Sequence, residues 1–449
     1  MSVKHPVAGL LGAVLLCCAS GIAFATPSIQ HWQSRSGAKV LFVEDHDIPM
    51  LDVAVSVPAG SRYDSKSGLA SMTHEMLDLG AGDMDEDAIS SGMADIGAEL
   101  GGDMDQDMAS ISLRTLSRDR EREKALSIMA KVLQHPAFKD EILSREKTRV
   151  IAALKDEETK PESIASRAFY KAIYGKHPYA LPVSGDVAGV EKISDQDVKD
   201  FYLGHYNAAR AVVAIMGDVT PAEAHEIAEQ LTDELPVSKD VLPMPAVDMQ
   251  IKAVEERIPH PATQSHILMG APGMSRTDPD YFTLYVGNYI LGGGGFVSRL
   301  MNEVREKRGL AYSVYSYFFP LGQPGPFQIG LQTKKDQADE ALRIVRKTVA
   351  DFVANGPTEA ELKAAKQNII GGFPLRIDSN RKILGYLSVI GFYDLPLTYL
   401  DDFTTRVDKV NVSEIRDAFA RHIHPDEMAT VIVGAPDEKS GGPEHKQAE

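Results

Sequence analysis

Apolar side chains recur at every second position in Leu51-Asp52-Val53-Ala54-Val55-Ser56-Val57, and Ile111, Leu113 and Thr115 alternate with Ser110, Ser112 and Arg114 in Ala109 to Leu116. A two-residue period places one set of side chains on one face, so both stretches predict strands. Lys39 to Val43 and Arg210 to Met216 run apolar between turn signals and predict further strands, the second closed by Gly217. Between them the period changes to that of a helix in Gly68 to Leu77, Glu86 to Ile96, Glu121 to Leu133 and Ile142 to Asp156, with Pro136 and Pro161 as boundaries. Pro221 predicts a further helix start, with Thr220 as its cap.

The order then recurs. His266 to Ala271 predicts a strand, Tyr281 to Leu291 a helix, and Tyr312 to Pro320 and Phe327 to Gln332 strands. Asp336 to Val353 and Glu359 to Gly371 predict helices, and Ala429 to Val433 a strand stopped by Gly434. The ends match best: Tyr206 to Asp218 lines up with His424 to Ala435. One unit of about 200 residues used twice explains this order. The expected division is a leader over 1–25, a first domain over 26–236, a proline-bearing linker over 237–257, a second domain over 258–436 and a polar tail over 437–449. The fold class is α+β, each half an antiparallel-rich sheet packed with helices.

The segment Gly68 to Asp78 reads GLASMTHEMLD. It resembles the Gly-Leu-Ala-His-x-x-Glu-His-Met segment of the M16 (pitrilysin, or mitochondrial processing peptidase) metallopeptidases, and the resemblance implies the M16, LuxS-like metallohydrolase fold. In that inverted motif two histidines bind zinc, and the glutamate before the second is the general base. Set in register, this chain has Ser71 at the first ligand, His74 at the base and Glu75 at the second ligand. The family's remaining carboxylate ligand falls within Glu146 to Leu154, where Glu146 is present but the ligand position lands at Ala153 or a neighbour. A catalytic zinc needs three protein ligands, and serine is a poor one. The resemblance therefore implies a member that has given up the metal, with no cofactor of its own.

The second half keeps Arg305-Glu306-Lys307-Arg308-Gly309-Leu310-Ala311-Tyr312, which resembles the family's Arg-x-x-x-x-Gly-x-Tyr segment. Carried over, Arg305 and Tyr312 would meet the charge that builds on a scissile carbonyl oxygen, or hold the neighbouring backbone. This implies a zinc-free subunit of a heterodimeric peptidase acting on oligopeptides, its partner carrying His-x-x-Glu-His and the zinc. The alternatives are a self-sufficient metallopeptidase using His74 and Asp78 with an unforeseen third ligand, and a peptide-binding or assembly protein.

Composition narrows the setting. Among 449 residues, 64 acidic against 47 basic side chains give a net charge of -17, which argues against nucleic acid and favours basic peptides. Lys4, the apolar run Val7 to Leu16 and Ala23-Phe24-Ala25 form a cleavable leader carrying both cysteines, so a periplasmic or secreted product is expected, with no membrane insertion after cleavage. Gly292 to Gly295 lacks a following Gly-Lys-Ser/Thr and reads as a loop where backbone approaches the chamber. Asp83-x-Asp85-x-Asp87 and Asp103-x-Asp105-x-Asp107 lack the calcium-loop glycine and terminal glutamate, and read as a solvated acidic loop and an acidic strand edge. His422 and His424 read as surface residues, and Met93, Met104 and Met108 as packing or edge positions.

Overall fold

The strands pair in the same pattern twice. A computed structural model describes residues 28–237, 244–250 and 252–435; the predicted leader and tail lie outside them, as does part of the predicted linker. Strands β1 (Gln30–Gln33), β2 (Lys39–Glu44), β3 (Met50–Val57), β6 (Glu99–Met104), β7 (Ala109–Leu116) and β8 (Val212–Gly217) form a sheet in the order β1-β2-β8-β3-β7-β6. β4 (Gly80–Ala81) and β5 (Met84–Asp85) make a separate small hairpin. Strands β9 (Glu255–Pro259), β10 (Gln264–Pro272), β11 (Ala311–Phe318), β12 (Pro326–Lys334) and β13 (Ala429–Ala435) form the second sheet in the order β11-β12-β10-β13-β9.

β2 runs parallel to β8, as β9 does to β13, and the other pairings are antiparallel. Register matches pattern where alternation is sharpest: along β7, every second residue from Ala109 to Thr115 is buried. The predicted linker ends earlier than expected, since Glu255 to Arg257 already belong to β9.

Each half lends a helix to the other's sheet. The helix Pro161–Tyr174 packs on β10 and β13, where Ala165, Phe169 and Ile173 share a core with Ala429, Val431 and Val433. The helix Asn380–Phe392 packs on β8, β3 and β2, burying Leu384 and Leu387 with Leu41, Val212 and Ala214. Contact is close enough that a Cβ on Gly391 would lie 2.4 Å from Val212 Cγ1, so only glycine fits there. Pro161 marks the expected boundary by opening this helix after the preceding one ends at Glu157, because a proline at the first helical position gives up an N–H that has no partner there anyway.

At the ends of both exchanged helices lies Asp107, fully buried. Its carboxylate accepts hydrogen bonds from Arg62 Nη1 (2.6 Å), Tyr179 Oη (2.6 Å), the Gly322 backbone N–H (2.6 Å) and Tyr393 Oη (3.0 Å). The expectation of an acidic strand edge holds for Asp103, which is exposed on edge strand β6, and fails for Asp107. Four donors from both halves are what make a buried charge tolerable.

Candidate functional site

The motif helix spans Leu69–Glu75 and follows Gly68, whose φ of 92° is the left-handed conformation glycine tolerates. Asp64 caps its start, accepting from the backbone N–H groups of Gly68 (2.8 Å) and Ala70 (2.7 Å). Burial pushes the Asp64 carboxyl up to about 7 against the pull of those bonds. The helix forms one wall of a cleft of about 660 Å³, lined also by Asp78, Glu86, Gly102 on β6, and Arg145, Glu146 and Arg149 on the helix Asp140–Glu157.

Ser71 Oγ donates to Glu75 Oε1 at 3.2 Å. Arg149 then bridges Glu75, at the second ligand position, and Glu146, which lies outside the ligand positions, donating to Glu75 through Nη2 and to Glu146 Oε2 through Nε at 2.6 Å. Arg145 donates to the other Glu146 oxygen at 2.8 Å. Burial works against ionising Glu146, but the bonds from Arg149 and Arg145 outweigh it and hold the carboxyl below its usual range. Ala152 and Ala153 face solvent. These residues do not fit a zinc ion: one ligand position is a hydroxyl committed to Glu75, another is methyl groups, and a guanidinium already supplies the positive charge. Sequence reading found Glu146 but not Arg149, whose partner Glu75 lies 74 residues away.

His74 sits against β6, so close that a Cβ on Gly102 would lie 2.9 Å from its ring, and Tyr206 Oη is 3.4 Å from its Nδ1. Burial lowers its pKa to about 4, only partly opposed by Asp103. Because the folded value lies below the unfolded value of about 6.5, the unfolded chain takes the proton first in acid. The stability His74 contributes is therefore present above pH 6.5 and is lost, by about 3 kcal/mol, as pH falls toward 4. An NMR titration should find its ring neutral at pH 5; a midpoint near 6.5 would contradict this.

Asp78 lies beyond the helix end and is exposed, so it lines the cleft with His74 without sharing a helical face with it. Among the described residues, a group of three potential ligands within 4.8 Å of one another occurs at Asp278, Asp280 and His422. There His422 Nε2 lies 3.1 Å from Asp280, whose same oxygen accepts from Arg421 at 2.7 Å. His422 is thus half-buried in an ion-pair cluster, not the surface residue expected, while His424 is exposed.

In the second half, Arg305 lies in a π-helical turn Met301–Glu306 and Tyr312 near the start of β11. The fold brings them together. The Arg305 guanidinium stacks between two rings, 4.7 Å from the centre of Phe296 and 5.0 Å from that of Tyr312. Tyr312 is 82% exposed and Phe296 66%, so the pair stands at the surface. Gly292 and Gly293 end a second π-turn, Tyr289–Gly293, in place of the loop expected from sequence. A Cβ on Gly292 would lie 2.3 Å from Ser316 Oγ.

Two family descriptions match in tandem: "Insulinase (Peptidase family M16)" over residues 39–187 and "Peptidase M16 inactive domain" over 192–369. A crystal structure from Pseudomonas fluorescens described as a peptidase M16 inactive domain is 38% identical, covers 91% of this chain and 98% of its own, and superposes with a TM-score of 0.88. The chain belongs to the M16 peptidase family. A Helicobacter pylori relative named "Non-peptidase homolog YmxG" is 26% identical over 89% of this chain and 92% of its own length. A Bacillus subtilis relative named "Uncharacterized zinc protease YmxG" is 22% identical over 90% and 98%. With Ser71, His74 and Glu75 at the motif positions and Arg149 among them, this chain is a non-catalytic M16 member.

Proposed function

We propose that this M16 chain is the zinc-free subunit of a heterodimeric oligopeptidase, exported by its leader to the periplasm or beyond. A separate M16 subunit with an intact His-x-x-Glu-His would hold the zinc and the general base. This chain would supply half of the chamber wall together with Arg305 and Tyr312, whose guanidinium and phenol can stabilise charge on a carbonyl oxygen or hold the adjacent backbone.

The observation that carries this reading is the pairing of Arg149 with Glu75, which occupies the carboxylate at the second ligand position with a guanidinium. The exposed Tyr312, stacked on the half-buried Arg305, supports it, since a polar aromatic group at a surface is placed to meet something outside the chain. The test is to purify the chain alone and with an M16 partner carrying His-x-x-Glu-His, then measure zinc by mass spectrometry and hydrolysis of a quenched fluorescent peptide. Zinc and turnover are expected in the mixture only, and Arg305→Ala in the mixture should lower kcat about 10²-fold. Stoichiometric zinc in the lone chain would overturn the reading. Unchanged turnover with both Arg305→Ala and Tyr312→Phe would leave a peptide-binding or assembly role.

A further inference from the structure

The second half has its own cleft, of about 620 Å³, at the place that corresponds to the degenerate metal cleft. Both are walled by the helix that follows the central strand, Leu69–Glu75 after β3 and Tyr281–Asn288 after β10, and by an edge strand, β6 and β11. Their chemistry has diverged. The first is lined by four carboxylates, Glu75, Asp78, Glu86 and Glu146, whose charge Arg145 and Arg149 only partly offset. The second, in a chain with a net charge of -17, is lined by no carboxylate and by two arginines, Arg276 and Arg376.

Tyr281, Tyr285 and Tyr289 follow one another at four-residue spacing, which aligns them along one wall, and Tyr317 of β11 also lines the cleft. Arg376 lies 5.9 Å from the ring centre of Tyr285, and Arg276 Nη1 lies 3.5 Å from Tyr281 Oη. Two donors here are shut off from solvent with no hydrogen-bond partner: Tyr285 Oη and Arg276 Nε. Such groups are costly to leave unmatched. Asp105, which lies near enough to feel the charge of Arg276, is held by the backbone N–H groups of Asp107 and Met108 and forms no ion pair with Arg276 among the described residues. Neither does any other carboxylate pair with Arg276 or Arg376 there.

We propose that this cleft binds a peptide segment bearing a carboxylate flanked by aromatic side chains. Guanidinium groups and a phenol O–H meet the carboxylate, and the tyrosine rings take the flanking side chains. A volume of this size is that of small-ligand sites and admits a short extended segment. The assignment rests on the cleft alone and does not require Arg305 or Tyr312 to act in catalysis.

The probe is fluorescein-labelled Ala-Phe-Glu-Phe-Ala amide, titrated with the mature chain and read by fluorescence anisotropy beside its glutamine counterpart as amide and as free acid. The glutamate amide should bind at least tenfold more tightly than the glutamine amide, the loss expected when charge-assisted bonds are removed. Tighter binding of the glutamine free acid than of its amide would assign the cleft to a peptide C-terminus and still support a carboxylate site. Arg376→Gln, an exposed change, should abolish the preference for a carboxylate, and Tyr285→Phe should weaken it. Equal binding of all three probes, binding by none, or a preference that survives Arg376→Gln overturns the proposal.

Discussion

Replacing Asp107 with alanine is expected to remove about 4 kcal/mol of folding stability, a large part of the ~5–15 kcal/mol that holds a typical domain. The substitution leaves Arg62, two tyrosine hydroxyls and a backbone N–H in a dry site with nothing to receive them. Breaking a buried pair costs more than the pair contributes, because the orphaned charge remains. Burial alone would disfavour the charged Arg62; the neighbouring Asp107 holds its pKa above the usual value. Urea unfolding measures the effect directly. Arg62→Met should be much less harmful in an Asp107→Asn background than in the parent, with a coupling of about 1–3 kcal/mol. A loss below 1 kcal/mol for Asp107→Ala would mean that this carboxylate is not the tie between the halves.

The second large effect is expected on dividing the chain. Cut between residues 238 and 252 and expressed separately, neither half should give a soluble, cooperatively unfolding monomer, and the two co-expressed should give a stable complex. The first half alone would carry the helix Pro161–Tyr174 with no sheet beneath it and would expose Leu41, Val212 and Ala214, which the helix Asn380–Phe392 covers. The second would lose Phe169 from against Gly270 and the shared core around Val431. Apolar faces of this kind drive aggregation when nothing covers them. Solubility, size-exclusion behaviour and thermal unfolding of each half decide the matter, and a well-behaved monomer of either would refute it.

Period and punctuation made much of this legible in the sequence. Strand β7 came out at its observed bounds because a sheet with one buried face imposes strict alternation, and Thr220 forms with Glu223 the cap that its position before Pro221 signals. The substitutions at Ser71, His74 and Glu75 could be read because they stand in one local frame. Other features depended on distance along the chain. Asp107 looks like any acid in an alternating acidic run until its partners 45, 72, 215 and 286 residues away are known. Arg149 lies on a helix whose predicted interest was at Ala153, and only packing shows that its side chain reaches Glu75. The helices Asn380–Phe392 and Tyr399–Lys409 were not predicted. The first is apolar around most of its circumference, since it lies between the first sheet and its own half, and so lacks a helical stripe to find.

The exchange of helices also sets a schedule for the nascent polypeptide. The last strand of the first sheet is complete at Gly217, while the helix that covers that sheet begins at Asn380, 163 residues later (380 − 217). Whether the chain emerges from the ribosome or, exported, from a membrane channel, the sheet precedes the helix that covers it, and an apolar surface stands open in the interval. Maturation therefore depends on keeping the emerging strands from pairing with one another's neighbours until Asn380–Phe392 has followed.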